Sequence, residues 1–269
     1  GNLSPVRENE FKMAVRPIAF SLSALMTFKR TQNISRGFSI STRAAKLAHQ
    51  KKDAAAFRGK MTSSVVVRSS LSIAEEAVQL GYSLDGANIL KIARMGHPIL
   101  KERAQEVVDP SSKEVGQIVA DMLKTADDIQ CTGLAAPQVH IPLRIVFFRV
   151  AKNAPSNSKY KHTPEFDPEG VPLTVMINPV IQALTEEQEQ GWEGCLSVPG
   201  LMGRVPRYTA IRYSFQTTKG ETVTKTARGF HARVVQHECD HLDGILYPQR
   251  MTDMASLGFR EEVFRYVED

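Results

Sequence analysis

The clearest pattern along this chain is a helical one. Hydrophobic residues recur every three or four positions between residues 113 and 128, at Val115, Ile118, Val119, Met122, Leu123 and Ala126. Residues with this spacing lie on one face of a helix, so the segment is predicted to be an amphipathic helix packed on a core. Ser111 or Ser112 can cap its start, because a serine hydroxyl accepts a hydrogen bond from the first turn.

Four other segments have the composition of β-strands. LRIVFFRV (143–150) and LTVMINPV (173–180) are apolar and contain β-branched residues, as buried strands do. Residues 209–218 and 221–229 alternate apolar and polar positions around Lys219 and Gly220, which predicts a hairpin. The polar, proline-containing stretch 151–172 is predicted to be a surface loop.

Three more helices complete the prediction. They are a short one around 73–80, one from Gly229 to about 246, and one from Asp253 in which Phe259, Val263 and Val267 share a face. The predicted fold class is α+β, with short, mostly antiparallel strands around the central helix that begins at Gly229.

The charge is unevenly distributed. Residues 1–52 carry ten Lys or Arg and two Glu, whereas residues 53–269 carry 24 basic and 27 acidic residues. The net charge of +5 therefore belongs to the front of the chain, and the rest gives no electrostatic reason to expect direct nucleic-acid binding. No apolar run approaches the roughly 20 residues that span a bilayer, so no membrane span is expected.

The basic front of the chain is typical of an organelle transit peptide. It is rich in Arg, Ser and Ala, and Arg36, Phe38 and Ser41 match a mitochondrial processing pattern that would place the mature start near residue 45 or 46. We predict a disordered leader at 1–52, a linker or N-terminal extension at 53–88, and a catalytic domain at 89–269. The expected location is the mitochondrion, with the plastid as the alternative; a solvated tail with no addressing role is the competing interpretation.

The sequence VVQHECDHLDG (234–244) predicts a metal site. His237 and His241 are four residues apart and lie on the same face of a helix, with Glu238 beside them. This HExxH arrangement supplies two ligands for a divalent ion and a carboxylate that can act on water. An accidental match is a poor explanation, because burying these groups without partners would cost several kcal/mol.

A catalytic site of this kind usually needs a third protein ligand. Downstream of the motif there is no histidine, whereas Cys195 in WEGCLSVPG offers a thiolate. The resulting His2Cys set suits zinc or ferrous iron. Cys239 is about 200° around the helix from His237 and is expected only to pack. Asp240 is expected either to orient a ligand histidine or to form a surface salt bridge.

A third segment, TGLAAPQV, combines small residues with an amide. Gly133, Ala135 and Ala136 allow a backbone to approach a ligand closely, and Gln138 presents an NH2 group. A tight turn between core elements explains the same residues equally well.

In this order, GLAAPQ, EGCLS and QHECDHLDG resemble the three signature motifs of peptide deformylase, and the resemblance extends over roughly residues 89–250. With its transit-like leader, the chain looks like a eukaryotic organellar member. The resemblance implies a metal-dependent hydrolase that removes the formyl group from formyl-methionine of newly made polypeptides and releases formate. Its implied partners are those nascent peptides and the organellar ribosome.

The resemblance also implies a role for each matching residue. Cys195, His237 and His241 would bind one divalent metal, Fe2+ in the native enzyme, with Zn2+, Ni2+ or Co2+ able to replace it. Glu238 would move the proton, while the Gln138 amide and the Leu196 backbone N–H would hold the oxyanion. Substrate would be bound by the following residues: Gly133 along its backbone, and Phe230 and Val234 around its methionine side chain.

Some positions depart from the family pattern. Cys131 stands where glycine is common, which could alter the rim of the site or add an oxidisable thiol. Met202 and Gly203 occupy a stretch where some bacterial members carry a substrate-contacting arginine. Arg204 or Arg207 could replace that arginine, but Arg207 is better placed to pair with Glu193.

Three other functions compete with deformylation. A metallopeptidase that cuts internal bonds would lack its downstream ligand here. A binding module that grasps nascent chains would not need Glu238 or Gln138. A structural zinc site would likewise leave Glu238 without a purpose.

Overall fold

The computed structural model of the protein describes residues 71–151 and 170–266. Its helices are α1 (Ile73–Gln79), α2 (Lys113–Ile129), α3 (Gly229–Leu242) and α4 (Arg260–Tyr266). Its strands are β1 (Gly133–Ala135), β2 (Ile145–Val150), β3 (Val171–Ala183), β4 (Gln188–Cys195), β5 (Val198–Tyr208), β6 (Ala210–Gln216), β7 (Thr222–Arg228) and β8 (Gly258–Phe259). The predicted leader and most of the loop 151–172 lie outside the described residues.

A five-stranded sheet with the order β1–β2–β3–β6–β7 forms the largest part of the fold, and its neighbouring strands are antiparallel. Ile145 and Phe147 of β2 pack in the same cluster as α1 and α2, whereas Val146 and Phe148 pack in the cluster that contains α3. Successive strand residues point to opposite faces, so the uninterrupted apolar run of β2 fits a strand covered on both sides.

A second sheet has the order β4–β5–β8. β4 and β5 form a long antiparallel hairpin, and Gly258 and Phe259 of β8 pair with Met202 and Leu201 on the other edge of β5. This hairpin brings Cys195 towards α3, which contacts strands of both sheets.

Helix α3 is shorter than predicted, because it ends at Leu242 rather than near residue 246. Gly244 has a φ of +71°, and a Cβ there would come within 2.6 Å of the Lys101 backbone. Arg144 donates a hydrogen bond of 3.2 Å to the carbonyl oxygen of Leu242. The turn and this contact together fix the end of the helix.

The long amphipathic helix and the short N-terminal helix are confirmed. Ser112 caps α2 by accepting a hydrogen bond of 3.3 Å from the amide of Val115. Ser72 and Glu75 form a reciprocal capping box at α1, and Ile73 of α1 is fully buried in the core. Part of the segment predicted as a linker or extension therefore packs on the sheet.

Two predictions about the fold are wrong. β3 and β5 are 13 and 11 residues long, so the strands are not all short. The helix predicted from Asp253 is instead a 3₁₀ turn at Met254–Ser256, followed by β8 and then α4. Pairing of Gly258 with β5 competes with helix formation, and Phe259 is exposed while Val263 is buried. Among the described helices, none is both long enough and apolar enough to cross a membrane.

Candidate metal centre and active site

The three predicted metal ligands converge. Cys195 is the last residue of β4, and His237 and His241 lie one turn apart on α3. One ligand atom from each residue lies within 4.8 Å of the others, and His241 Nε2 is 3.4 Å from Cys195 Sγ. Two imidazoles and a thiolate form a donor set that fits zinc or ferrous iron. No other such group of three occurs within the described residues.

Glu193 orients the first histidine. Its Oε2 lies 2.8 Å from His237 Nδ1, which leaves Nε2 of that ring for a metal. Arg207 makes a bidentate pair with Glu193, with both distances 2.9 Å, and Arg233 Nη1 lies 2.9 Å from Glu193 Oε1. Burial alone would raise the pKa of Glu193, but the hydrogen bonds from Arg207 and His237 hold that pKa far below its usual range.

The ion-pair network continues to Asp240 and Arg250. Arg207 Nη1 donates to Asp240 Oδ2, and Arg250 approaches the same carboxylate at 2.7 and 3.1 Å. Asp240 is only 7% exposed, so the surface-salt-bridge interpretation is wrong. Its link to His237 runs through Arg207 and Glu193. The expected pairing of Arg207 with Glu193 is confirmed.

Glu238 lies in a different environment. It is buried, and its Oε2 has no hydrogen-bond partner among the described residues. Burial raises the pKa of Glu238 to about 7, and the charge of Glu193 adds to that effect while His237 and Arg207 oppose it. A Cβ on Gly133 would overlap the Glu238 carboxylate, so glycine is required for this close approach.

Gln138 has a fixed orientation within the 3₁₀ turn Ala136–Val139. Its Oε1 accepts a hydrogen bond of 2.9 Å from the Ala135 amide. Its Nε2 therefore points the other way, 3.3 Å from Cys195 Sγ and 3.3 Å from Ser197 Oγ. The amide NH2 thus faces the predicted metal ligands. Leu196, the next residue after Cys195, lies in the turn between β4 and β5.

The two residues predicted to line a methionine pocket lie one turn apart on α3. Val234 is 8% exposed and packs in the cluster with Phe148. Phe230 packs against that cluster and lines a cavity shared with Arg207, Tyr208 and Arg233. Gly133 contacts Glu238, and Gln138 contacts Cys195, so both lie at the centre. Phe230 and Val234 lie before His237 on α3.

The two cysteines outside the centre pack against apolar residues. Cys239 packs in the apolar cluster under the sheet, as expected. Burial, followed by the charge of Glu238, raises the pKa of Cys131 to about 12. A thiol with so high a pKa is almost entirely protonated at neutral pH and is a poor nucleophile.

Sequence reasoning missed several supporting residues. It did not assign Glu193 to His237, although Glu193 and Cys195 are two apart on a strand and so share a face. That spacing was the available signal. It also missed Arg233, Arg250 and Ser197, whose contacts come from distant parts of the chain and have no local pattern.

Comparison with known proteins adds an independent observation. The family model described as polypeptide deformylase matches residues 89–256. Peptide deformylase 1 of Nitrosomonas europaea is 44% identical over 177 residues, which are 65% of this chain and 95% of the relative. Peptide deformylase 2 of Ralstonia nicotianae is 46% identical over 176 residues, covering 65% of this chain and 94% of the relative.

Solved structures give the same match. The actinonin-bound class I type b peptide deformylase of Acinetobacter baumannii has a TM-score of 0.51 and 34% identity, and the match covers 62% of this chain and 100% of that one. A peptide deformylase of Synechococcus elongatus in complex with actinonin has a TM-score of 0.52 and 29% identity, with coverage of 65% and 85%.

Proposed function

Because this chain belongs to the peptide deformylase family, we propose that its removal of the formyl group from newly made polypeptides takes place between Cys195, His237, His241 and Glu238. The observation that carries the proposal is the convergence of three ligand atoms within 4.8 Å, beside a buried carboxylate with an unpartnered oxygen. Amide hydrolysis needs an activated water, a proton carrier and donors for the oxyanion.

We propose Cys195, His237 and His241 as the ligands of one divalent ion. The ion is Fe2+, with Zn2+, Ni2+ or Co2+ as replacements, since one thiolate and two imidazoles suit all of them. The ion, when bound, supplies Lewis acidity that activates water for attack on an amide carbonyl. Glu193 keeps His237 oriented for this role by accepting from its Nδ1.

Glu238 is the proton carrier in this proposal. A carboxyl whose pKa is about 7 can accept a proton and release it again near neutral pH. Its unpartnered Oε2 is available to take the proton of the attacking water and then deliver it to the departing amide nitrogen. Because Gly133 has no side chain, its backbone lies directly against this carboxylate, and we propose that the same backbone pairs with the substrate.

Gln138 and Leu196 are the oxyanion donors. The Nε2 of Gln138 is directed at the ligand side because Oε1 is held by the Ala135 amide. Leu196 directly follows the ligand Cys195 in the turn between β4 and β5, and its backbone N–H is the second donor in this proposal. Two fixed donors cost little reorganisation when charge develops on the carbonyl oxygen.

The substrate is proposed to bind in extended form. Within the described residues, β1 pairs only with β2, and β4 pairs only with β5. Both are therefore edge strands of their sheets, and an edge strand can hydrogen-bond a peptide backbone; Gly133 lies in β1. The methionine side chain of formyl-methionine is proposed to contact Phe230 and Val234.

The cellular location is also a proposal. The acid-free, arginine-containing stretch between Lys12 and Lys52 favours a transit peptide and the mitochondrion over the plastid. In either organelle, the substrate would be presented by nascent chains at the organellar ribosome.

The test uses the full chain, loaded with Fe2+ without oxygen and assayed for formate release from a formyl-methionyl peptide before and after exposure to air. Release that falls on oxidation supports iron, and release unaffected by air supports zinc or another stable ion. Bound metal without formate release would contradict the proposed centre and favour a binding module. Cleavage of unformylated peptides at internal bonds would instead indicate a peptidase.

A further inference from the structure

A buried phenol belongs to the apolar cluster against which the ligand Cys195 packs. Tyr247 is 1% exposed, and its hydroxyl has no hydrogen-bond partner among the described residues. Tyr213, which is equally buried, differs in that its hydroxyl lies 3.0 Å from His231 Nε2. A buried hydroxyl without a partner is unfavourable, and phenylalanine would fill the same space without that cost. The Tyr247 hydroxyl is therefore the unexplained polar atom in an apolar cluster.

The surroundings of this hydroxyl suit a hydrogen-bond donor. Tyr247 packs with Val198, Val205 and Leu246, and Cys195 packs against the same cluster. Its 3₁₀ turn, Tyr247–Arg250, contacts both β4 and β5. A phenol is protonated at neutral pH, so the Tyr247 hydroxyl can donate a hydrogen bond.

The sulfur of Cys195 loses its present partners in the proposed reaction. At present Gln138 Nε2 lies 3.3 Å from it and His241 Nε2 lies 3.4 Å from it. In the loaded protein His241 Nε2 is assigned to the metal, and once substrate binds, Gln138 Nε2 is assigned to the substrate oxygen. Each change leaves the thiolate with one contact fewer, and a thiolate can accept a further hydrogen bond.

We infer that Tyr247 is a positioning residue whose hydroxyl donates a hydrogen bond to the Cys195 thiolate when Cys195 acts as a metal ligand. The inference rests on the proposed metal centre. This bond forms only in the loaded protein. Its free energy is therefore added to the free energy of metal binding, and losing the bond weakens metal affinity by that amount. As a donor, the Tyr247 hydroxyl also withdraws electron density from the sulfur and so tunes the bound metal.

The experiment compares three full-length proteins loaded with Co2+: wild type, Tyr247→Phe and the matched control Tyr213→Phe. The measurements are the sulfur-to-cobalt charge-transfer absorption, the Co2+ affinity from competition with a chelator, and the stability of the metal-free protein to urea. Tyr213→Phe removes a hydroxyl of equal burial that is bonded to His231.

For Tyr247→Phe we expect the charge-transfer band to move to lower energy and the affinity to fall roughly tenfold, while metal-free stability is unchanged or higher. For Tyr213→Phe we expect the reverse: an unmoved band and a less stable metal-free protein. An unmoved band with affinity within twofold of wild type would overturn the inference about Tyr247. Equal band shifts in both variants would overturn it too, by indicating a general packing effect. A wild-type chain that binds no cobalt would overturn the metal centre itself.

Discussion

Glu193 and Glu238 are equally buried, at 6% exposure each, yet burial affects them in opposite ways. Glu193 is surrounded by Arg207, Arg233 and His237, and its pKa lies far below the usual range despite burial. Glu238 has an unpartnered oxygen, and burial raises its pKa to about 7. At equal burial, the hydrogen-bonding and charged neighbours of each carboxylate decide whether it stays ionised or can exchange a proton.

The difference arises from where each residue sits. Glu193 lies in β4, between Arg207 of β5 and the face of α3 that carries Arg233 and His237. Glu238 is one position further along α3 and faces Gly133 of β1, which has no side chain. One side of the centre is thus an ion-pair network, and the other holds a carboxylate oxygen that has no hydrogen-bond partner among the described residues.

The most severe test of this comparison is Glu238→Gln. The amide has the same shape next to Gly133 but cannot carry the proton, so kcat is expected to fall about 100- to 10,000-fold. Metal content should remain that of wild type, because Glu238 is not a proposed ligand. Formate release and metal analysis on the same preparation measure both quantities. Turnover within threefold of wild type would show that Glu238 does not carry the proton.

Arg207→Met tests the ion-pair network around Glu193 and Asp240. Removing this arginine leaves the carboxylates of Glu193 and Asp240 buried with fewer partners, which is expected to lower the free energy of unfolding by about 3–5 kcal/mol. Urea denaturation of the metal-free chain measures the loss. The exposed Arg212→Met serves as control and should stay within about 0.5 kcal/mol of wild type. A loss below 1 kcal/mol for Arg207→Met would mean that the network is not a stabilising unit.

Gln138→Glu tests the proposed oxyanion donor, the side-chain NH2 group of Gln138. The substitution keeps an oxygen for the Ala135 amide but replaces the NH2 group, so the turn is retained while the oxyanion donor is lost. We expect kcat to fall about 100- to 1,000-fold. Steady-state assays of formate release give kcat and KM separately. A change confined to KM would assign Gln138 to substrate binding and would remove it from the oxyanion site.

Local patterns predicted a large part of the structure. The stripe from Val115 to Ala126 and the cap at Ser112 predicted α2, and the four-residue spacing of His237 and His241 predicted two converging ligands. These features depend on residues close in sequence, whose geometry follows from the helix itself. The pairing of Arg207 with Glu193 was also predicted correctly.

Contacts between distant segments were harder to predict. The β4–β5 hairpin contains Gly191, Gly194 and Gly203 and lacks a clear alternation of apolar and polar residues, so its strands were not predicted. It packs against α3 and the turn at Tyr247, which are distant from it in sequence. The same reason explains the missed contact of Glu193 with His237 and the wrong helix at Asp253, where pairing with β5 overrides local propensity.

The smallest expected effect is that of Arg250→Ala, which compares the exposed and the buried arginine that both bind Asp240. Arg250 binds Asp240 at 2.7 Å, but its side chain is 46% exposed, and Asp240 keeps Arg207 as a partner. An ion pair whose arginine is nearly half exposed contributes little, so we expect a loss of under 1 kcal/mol in unfolding free energy. We also expect this loss to shrink in high salt, because solvent ions screen the exposed arginine. Urea denaturation at low and high salt, beside Arg207→Met, measures both. An equal loss of unfolding free energy in Arg250→Ala and Arg207→Met would contradict this expectation. It would mean that the burial of an arginine does not determine how much its ion pair with Asp240 stabilises the fold.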